Sequence, residues 1–593
     1  MMSSDVHQLA KPKLLFFRPK YGRAIPTFLV THRDEHAQCL SQFFDLKIIE
    51  EDCDCREACD RHEPVACLFE IGLQRGDARQ PRIVNVERMN DVPKIALINA
   101  DVWGYTRSRI LAEVQAFDFD AVFAICTTAG EHFEELRDRL YYWPNFIDED
   151  TFQIRQQNKT EILFLTGNMG DEYPWRKRIR NSLLHAFPVK QSYHAGYYGR
   201  QLTSRMPIGI NYASLIGAAW FAPTCGTMAN ELVRKHLEIP SVGSCLITER
   251  SATLDVAGFS DMRNVVFADE HDVVDKVNYL MHNVDTLRCI IKNGHDLVHT
   301  MHTMRARSQI YDWLSLYRQA PPGARIVQPN PFARLVLQQK DQQDLQTLHV
   351  EGGGRYLRLL SEAGSHINAG RLELAIPLIE ECKRIAPCMP DIDFFEAYCN
   401  LQGGKPAQAL QDLVRMLKAS LGSSETTPPD PIEWAYLIVA LLAMGRTRTA
   451  FRYARQFLEV SHPELDKARA AAFLLQKSVP LAFQSKKVVS IHRLQDKPLT
   501  AWMNSLAIML ERSGQPSAAL RLISFPWNSV RSDADLYDFM HRSGYAPRHV
   551  PPLVSGRLRR WDSPLVVAAI LRRVRHLLPT MPRLVPRKEL NLS

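Results

Sequence analysis

The sequence predicts two α/β domains in tandem, each built on a parallel sheet, followed by an all-α region. Three observations predict this order. Strand-length apolar runs alternate with polar, helix-compatible stretches from residue 13 to about 155, and a second such series runs from 161 to 317. Beyond residue 355 the strand signals largely stop, and a repeated spacing of small residues begins. A chain of 593 residues is also too long for a single core.

Composition and charge exclude several classes of protein. Apolar residues make up 46% and charged residues 23%, as in ordinary globular proteins, and the apolar runs are shorter than the roughly 20 residues that cross a bilayer. The N-terminus lacks the pattern of a secretory signal, and the twelve cysteines show no disulfide framework, which favours a cytoplasmic setting. Most of the net charge of +8 lies after residue 550, where nine Lys or Arg face two Asp or Glu. The nearly neutral remainder argues against a nucleic-acid-binding body.

The first predicted domain covers residues 1–155. Its apolar runs have the length of buried strands, and the polar stretches that separate most of them suit crossover helices. The predicted strands are Leu14–Phe17, Leu46–Ile49, Val65–Phe69, Ile95–Ile98 and Ala121–Ile125.

The second predicted domain covers residues 156–318. Its predicted strands are 161–165, 209–212, 245–248 and 265–267, and a helical stretch from about 272 to 317 closes it. Two α/β units in tandem bring two sets of strand C-terminal ends near one crevice, where open α/β sheets usually bind ligands.

A predicted linker, 319–354, is rich in Pro, Gln and Gly, and predicted helical repeats occupy 355–550. Four glycines are each followed five positions later by alanine: Gly370 with Ala375, Gly404 with Ala409, Gly445 with Ala450, and Gly514 with Ala519. The first two glycines are 34 residues apart, which is the tetratricopeptide (TPR) period, and 466–499 would be a decayed unit. The alternative is a generic helical bundle. We expect residues 551–593 to form a basic helical tail that caps the repeats or lies on an anionic membrane.

In the stretch CDCREACDRHEPVAC, residues 53–67, the first ten residues contain three cysteines and His62. The spacing of Cys53, Cys55 and Cys59 fits structural zinc poorly, because such sites usually use pairs separated by two to four residues. We therefore expect a helix leading to a strand, with the cysteines as small apolar side chains, and no metal site.

Five stretches of the second predicted domain resemble the C-terminal half of GT-B glycosyltransferases, with the CgeB-like "group 1" branch the closest. They are GNMGDEYPWRKRIR (167–180), GRQLTSRMPIGINYA (199–213), RKHLEIPSVGSCLITE (234–249), VVFADEHDVVDKVNYLMHN (265–283) and NGHDLVHTMHTMRAR (293–307). They occur in the family's order and span most of this domain. The resemblance implies two tandem Rossmann-like domains and a nucleotide-sugar donor. Residues 142–145 with Phe152 resemble the family's interdomain crossover.

The resemblance assigns Glu238 to the donor's ribose, whose two vicinal hydroxyls match a carboxylate's two acceptor oxygens. The alternative is a helix-end carboxylate paired with Arg234, four residues earlier. Thr248 and Glu249 end the strand 245–248, and Glu249 would line the crevice near the sugar or nucleotide. A solvated charge remains the alternative for Glu249.

The donor's diphosphate is predicted to lie where the strand 161–165 ends. Gly167 allows close backbone approach, and Arg176 and Lys177 add positive charge near the start of the next helix. The family's Tyr-Pro-x-Arg pattern favours Arg176. The alternative is a solvated basic helix face.

Asp101 follows the predicted strand 95–98, at the edge of the sheet where catalytic groups collect. Its carboxylate would accept the proton of an acceptor hydroxyl, or orient that hydroxyl. The alternatives are a helix N-cap and a turn residue.

Two features depart from the family pattern. Related enzymes carry two glutamates with seven residues between them, and the earlier position is Asn230 here, with Glu231 beside it. The branch's usual Gly-x-Glu is replaced by DMRNVV, 261–266. These departures leave the anomeric outcome open, and they also allow a weakened enzyme.

The sequence therefore predicts a glycosyltransferase that moves a sugar from a nucleotide-sugar donor to an acceptor hydroxyl, without a cofactor or metal. The repeats would bind an acceptor protein or glycan. One alternative is a repeat scaffold with a degenerate transferase module. Another is a membrane-associated polysaccharide enzyme docked by the basic tail. We expect a cytoplasmic protein, peripheral at the inner face of the membrane if the tail docks there.

Overall fold

A computed structural model describes residues 11–536, apart from 24, 73–80, 87–90, 156–157, 195, 198–203, 340–344, 354, 388, 422–427, 478–485 and 531–535. The chain divides into two compact units. The first comprises residues up to 359 together with 381–389, and the second comprises 360–380 and the chain from 390 onward. The predicted basic tail, 551–593, lies outside the described residues.

The first unit begins with a six-stranded parallel sheet. Its strands are β1 (Lys13–Phe17), β2 (Asp45–Ile49), β3 (Ala66–Ile71), β4 (Lys94–Ile98), β5 (Ala121–Ala124) and β6 (Leu140–Tyr142). The spatial order is β2-β1-β3-β4-β5-β6, and every neighbouring pair is parallel. The five predicted strands are confirmed within one or two residues, whereas β6 was not predicted.

A second parallel sheet follows in the same unit. Its strands are β7 (Glu161–Leu165), β8 (Val189–Gln191), β9 (Ala219–Pro223), β10 (Cys245–Thr248) and β11 (Val266–Phe267), in the order β8-β7-β9-β10-β11. All its pairs are parallel. Each sheet carries helices on its faces, so its strands are buried and read as continuous apolar runs.

One predicted strand is wrong. Residues 209–212 begin a helix, Gly209–Gly217, and the strand of this region is β9. No polar residue interrupts the chain from Leu215 to Pro223, so periodicity could not separate the end of this helix from the strand that follows it.

The helices of this unit connect the strands as crossovers. They are α1 (Thr27–Phe43), α2 (Cys55–His62), α3 (Arg107–Phe117), α4 (Ala129–His132), α5 (Pro174–Ala186), α6 (Gly209–Gly217), α7 (Lys235–Ser241), α8 (Ala252–Val256), α9 (Val273–His282), α10 (Val284–Met301) and α11 (Gln309–Gln319). The helical stretch predicted over 272–317 is thus three helices. Two further pairs of short strands form separate two-stranded sheets. They are Cys53–Asp54 with Ile83–Val84 and Arg325–Val327 with Val336–Gln338.

The chain crosses between the two sheets twice. After β6 it runs into the second sheet past Trp143, whose indole donates to the Arg307 carbonyl at 3.0 Å. It returns through α11, where Trp313 packs in the core of the first sheet. The buried Arg307 guanidinium donates to the carbonyls of Pro144 and Asn145 at 3.0 Å, which fixes both crossovers to each other.

The predicted linker packs against the first unit rather than extending into solvent. Leu335 belongs to the core of the first sheet and Phe332 to a core of the second. The Gln328 side chain accepts from the Tyr142 N–H at 2.7 Å and donates to the Tyr142 carbonyl at 3.0 Å.

The C-terminal region is helical. Its helices are α12 (Arg355–Asn368), α13 (Leu372–Ile385), α14 (Pro390–Gln402), α15 (Pro406–Leu421), α16 (Pro431–Ala443), α17 (Thr447–Ala454), α18 (Pro463–Leu475), α19 (Leu499–Arg512) and α20 (Pro516–Ile523). The four repeat glycines all have positive φ, from 70° to 76°, at a turn between two consecutive helices. The four alanines that follow them are buried. Helical hairpins are therefore present, and a TPR solenoid remains a prediction.

No helix among the described residues combines the length and apolar character needed to span a membrane.

Candidate functional site

The carboxyl end of β7 is the centre of the candidate site. Gly167, two residues past the strand, has φ +99°, a conformation that side chains other than glycine rarely adopt. A Cβ at this position would lie 2.7 Å from Arg176 Nη1 and 3.2 Å from Lys235 Cε. Glycine therefore lets two cationic side chains approach the strand end.

Arg176 lies in the first turn of α5 and is buried. Its guanidinium donates to the Asn168 carbonyl at 2.5 Å and to Thr224 Oγ1 at 3.0 Å, and it lies 4.6 Å from the centre of the Tyr173 ring. Its Nε is buried and has no hydrogen-bond partner among the residues that the structure describes. Among the described residues no carboxylate pairs with Arg176, so its positive charge is not neutralised within this part of the protein.

Lys235 is the second cation, and sequence reasoning missed it. It begins α7, is half-buried, and forms neither a hydrogen bond nor an ion pair with any described residue. Burial lowers the pKa of its ammonium to about 8, with the charge of Arg176 adding to this effect against the opposite influence of Glu238. The sequence signal was present, because Lys235 stands inside the stretch that carried the family resemblance.

Glu238 is buried on α7, and its Oε1 accepts from Arg234 Nε at 3.1 Å. Arg234 also pairs with Glu35 of α1, so its guanidinium joins α1 to α7. Burial works to lower the pKa of Arg234, but the two carboxylates raise it above its ordinary value. The pairing weighed as an alternative is therefore present. It occupies one carboxylate oxygen and leaves the ribose role of Glu238 a prediction.

Thr248 and Glu249 end β10. Thr248 is fully buried, and its hydroxyl lies 3.1 Å from His236 Nε2. Glu249 Oε1 accepts from the Gly226 backbone N–H at 3.0 Å, whereas Oε2 is buried and no partner for it occurs in the described part of the chain. Burial raises the pKa of Glu249 to about 8, which favours the protonated acid near neutral pH. Glu249 is therefore not a fully solvated charge.

Lys177 points away from this cluster. Its side chain is exposed and pairs with Asp171. One step along a helix rotates the side chain by about 100°, which turns Arg176 inward and Lys177 toward solvent. The structure thus separates two neighbours that the sequence had grouped.

Asp101 lies just past β4, exposed at the strand-end edge of the first sheet. Its charge acts on Tyr173, the residue before α5, whose ring packs against the Arg176 guanidinium. Burial raises the pKa of the Tyr173 hydroxyl well above its ordinary value, and the neighbouring Tyr197 and the charge of Asp101 raise it further. A crevice between the two sheets that holds both Asp101 and the cation pair remains a prediction.

Aromatic side chains form part of the crevice wall. Phe28 of α1 packs against His194 and Tyr197, with ring centres 5.6 and 5.9 Å apart. Burial lowers the pKa of His194 to about 4, and the charges of Lys235 and Arg176 lower it as well. His194 is therefore neutral at physiological pH, and it adds no further positive charge beside Lys235.

Glu231 joins the two sheets below the crevice. Its buried carboxylate accepts hydrogen bonds from the backbone N–H and hydroxyl groups of both Thr127 and Thr128, just after β5. Burial raises its pKa to about 7, although these hydrogen bonds act in the opposite direction. Its neighbour Asn230 donates to the Gly352 carbonyl at 2.5 Å. Asn230, at the family's earlier glutamate position, and its neighbour Glu231 thus both form hydrogen bonds that stabilise the fold.

The arrangement has a specific chemical capacity. Two cations to which no described carboxylate is paired flank a glycine at a strand end, which favours a ligand with concentrated negative charge such as a diphosphate. Asp101, exposed just past β4, carries a carboxylate that can take up a proton.

One family model matches part of the chain. Residues 166–311 match the family model described as "Glycosyl transferase-like". The match covers most of the second sheet together with Gly167, Arg176, Lys235 and Glu238. No curated protein sequence matches the chain.

Several solved structures resemble part of the chain. A sucrose-phosphate synthase from Thermosynechococcus elongatus is 8% identical with a TM-score of 0.38, covering 52% of this chain and 98% of its own. Anabaena Alr3699/HepE, solved in complex with UDP and glucose, is 11% identical with a TM-score of 0.36, covering 51% and 99%. A glycosyltransferase from Rickettsia africae is 11% identical with a TM-score of 0.35, covering 51% and 99%. At these identities and TM-scores the likenesses carry no argument about function.

Proposed function

We propose that the protein is a glycosyltransferase that transfers a sugar from a nucleotide-sugar donor to an acceptor hydroxyl. One observation carries the proposal: Arg176 and Lys235, which have no carboxylate partner among the described residues, flank Gly167 inside the segment that matches the glycosyltransferase-like family. Nucleotide sugars place a diphosphate next to the bond that breaks, so these cations would bind the donor and stabilise the leaving group.

Each further residue has a part in this reaction. Glu238 would accept hydrogen bonds from the ribose through the oxygen that Arg234 does not occupy. Glu249, held by the Gly226 N–H and protonated near pH 7, would donate from its unpartnered oxygen to the sugar or nucleotide. Gly167 would allow the diphosphate to approach the backbone.

The transfer step would involve Asp101. The acceptor oxygen attacks the anomeric carbon, its proton passes to the Asp101 carboxylate, and the bond from that carbon to the diphosphate oxygen breaks. The diphosphate leaves with the bonding electron pair, and Arg176 and Lys235 stabilise its charge. Because side chains supply this charge, we expect that added Mg²⁺ leaves donor affinity unchanged.

The helical hairpins would bind the acceptor, which we propose is a protein. The support is the repeated glycine turn with a buried alanine five residues later, since arrays of such hairpins present extended binding surfaces. Deleting the chain after Met389, which keeps every residue of the first unit, would then reduce transfer to a protein acceptor and leave donor binding intact.

The test is release of nucleoside diphosphate from UDP-, GDP- and dTDP-sugars. Glycosyltransferases without their acceptor transfer slowly to water, so we expect release from at least one donor. Asp101→Asn should slow release by about 10²- to 10⁴-fold while the variant still binds that donor. Donor binding without any release would instead support a scaffold that senses nucleotide sugars.

A further inference from the structure

Three cysteine thiols come together in the first α/β sheet, away from the crevice. Cys55 and Cys59 lie on α2, and Cys67 lies on β3. All three are buried, and their Sγ atoms lie within 4.8 Å of one another, with Cys59 and Cys67 at 3.4 Å. Among the described residues this is the one group of His, Cys, Asp or Glu side chains with the proximity that metal binding requires.

The local fold explains why these residues meet. Asp54 caps α2 by accepting from the N–H groups of Arg56 and Glu57, so the helix starts at Cys55. Cys55 and Cys59 are four residues apart and share one helix face. Glu63 ends the helix in a left-handed conformation, φ 47°, and the chain turns back within three residues into β3. Cys67 then reaches the same space from the sheet.

The chemistry of three thiols favours a soft cation. Thiolate sulfur binds zinc at about 2.3 Å, which places sulfurs of a tetrahedral site about 3.8 Å apart. The observed separations, from 3.4 Å to at most 4.8 Å, bracket that value. Cys55 and Cys59 are separated by three residues, within the spacing that structural zinc sites use. The sequence prediction of no metal site rested on the spacing of Cys53, Cys55 and Cys59. In the folded protein the third thiol of the cluster is that of Cys67, not that of Cys53.

The fourth ligand can come from the same helix. His62 is the last residue of α2, seven positions after Cys55 and three after Cys59. Positions i, i+4 and i+7 lie on one helix face, so His62 follows the two thiols along it. Its side chain is half-buried, so it can turn toward the thiols. Cys53 precedes the helix and is also half-buried.

We propose that Cys55, Cys59, Cys67 and His62 bind one zinc ion that fixes α2 to the first sheet. Each thiol loses its proton to solvent, so binding releases three protons, and the imidazole binds as the neutral base. The site is structural, since four protein ligands leave no open position for substrate. It does not depend on the proposed transferase activity.

The test measures zinc in the full-length chain purified under reducing conditions without chelator. We expect one zinc per chain, lost in Cys55→Ser and in Cys59→Ser and reduced in His62→Ala. Cys289→Ser is the matched control, because Cys289 is an exposed cysteine far along the chain, and it should retain the full content. Arg176→Ala should also keep its zinc, which separates this site from the crevice.

A second measurement uses the wild-type protein, so it tests the proposal even if the variants fail to fold. Co²⁺ added to the zinc-depleted wild-type protein should give the sulfur-to-cobalt charge-transfer absorption and the intense visible bands of a tetrahedral site. A wild-type protein that neither retains zinc nor gives this spectrum would overturn the proposal. A Cys59–Cys67 disulfide in the protein as isolated would overturn it as well. Zinc lost in Cys53→Ser but kept in His62→Ala would refute His62 as the fourth ligand.

Discussion

The two parallel sheets differ in whether the charged side chains near their strand ends are paired with opposite charges. In the first sheet, buried Glu70 accepts from Arg33, Tyr21 and Asn99 at 2.8, 2.8 and 2.9 Å, so its charge is neutralised internally. In the second sheet, Arg176 and Lys235 have no carboxylate partner among the described residues. Two sheets of the same kind can therefore differ in the use of charge at their strand ends. In the first sheet the charges pair and stabilise the fold, whereas in the second sheet the cations can bind an anion.

The largest expected effect concerns the first sheet. Glu70→Ala leaves the buried Arg33 guanidinium without its carboxylate, and we expect a loss of about 3–5 kcal/mol in the free energy of unfolding. Denaturant unfolding measures this loss. The double variant Arg33→Met/Glu70→Met, which removes both charges, should recover much of it.

The same Glu70→Ala variant should leave the donor affinity of the folded fraction unchanged. If donor affinity falls while stability does not, the Arg33–Glu70 pair belongs to the binding site and the contrast between the sheets fails.

The next effect concerns the second sheet. Arg176→Ala removes a charged donor, and we expect donor affinity to fall by about 10- to 100-fold, since such interactions contribute about 1.5–3 kcal/mol. Lys177→Ala is the matched control from the adjacent, exposed position and should change affinity by less than about twofold. Thermal shift with a bound donor measures both. Equal losses in the two variants would show that only the general charge of α5 matters.

Donor affinity should also fall as pH rises. Because burial lowers the pKa of Lys235 to about 8, its ammonium is charged at pH 7 and largely neutral at pH 9. An anion binds the charged form better, so affinity should weaken by about tenfold across this interval. Ionisation of Glu249, whose burial-raised pKa is also about 8, acts in the same direction.

Lys235→Arg separates the two contributions to this pH dependence. Arginine stays charged throughout the interval, so the variant should retain only the smaller change due to Glu249. A variant with the full tenfold dependence would show that Lys235 does not face the donor.

The smallest expected effect is an increase in the stability of the ligand-free protein. Lys235→Met removes a half-buried charge that has no partner among the described residues, so the ligand-free protein should gain about 0.5–2 kcal/mol in the free energy of unfolding. The same variant should lose most of its stabilisation by donor. A loss of ligand-free stability, measured by denaturant unfolding, would mean that Lys235 has a structural partner.

Local signals predicted much of the fold and part of the site. The buried strands of the first sheet were predictable because an apolar run bounded by polar residues specifies a strand locally. The sequence could not place 209–223, where a helix and a strand share one apolar run. Lys235 was missed because its approach to Gly167 is created by a turn between separate elements, and the Cys67 thiol meets α2 for the same kind of reason.

The most direct test of the central claim is calorimetric titration of the wild-type protein with UDP-, GDP- and dTDP-sugars. We predict that at least one donor binds, and that Arg176→Ala and Glu238→Ala weaken that binding while keeping the circular dichroism of the wild type. A panel without any binding heat, confirmed by unchanged melting temperatures, would contradict it.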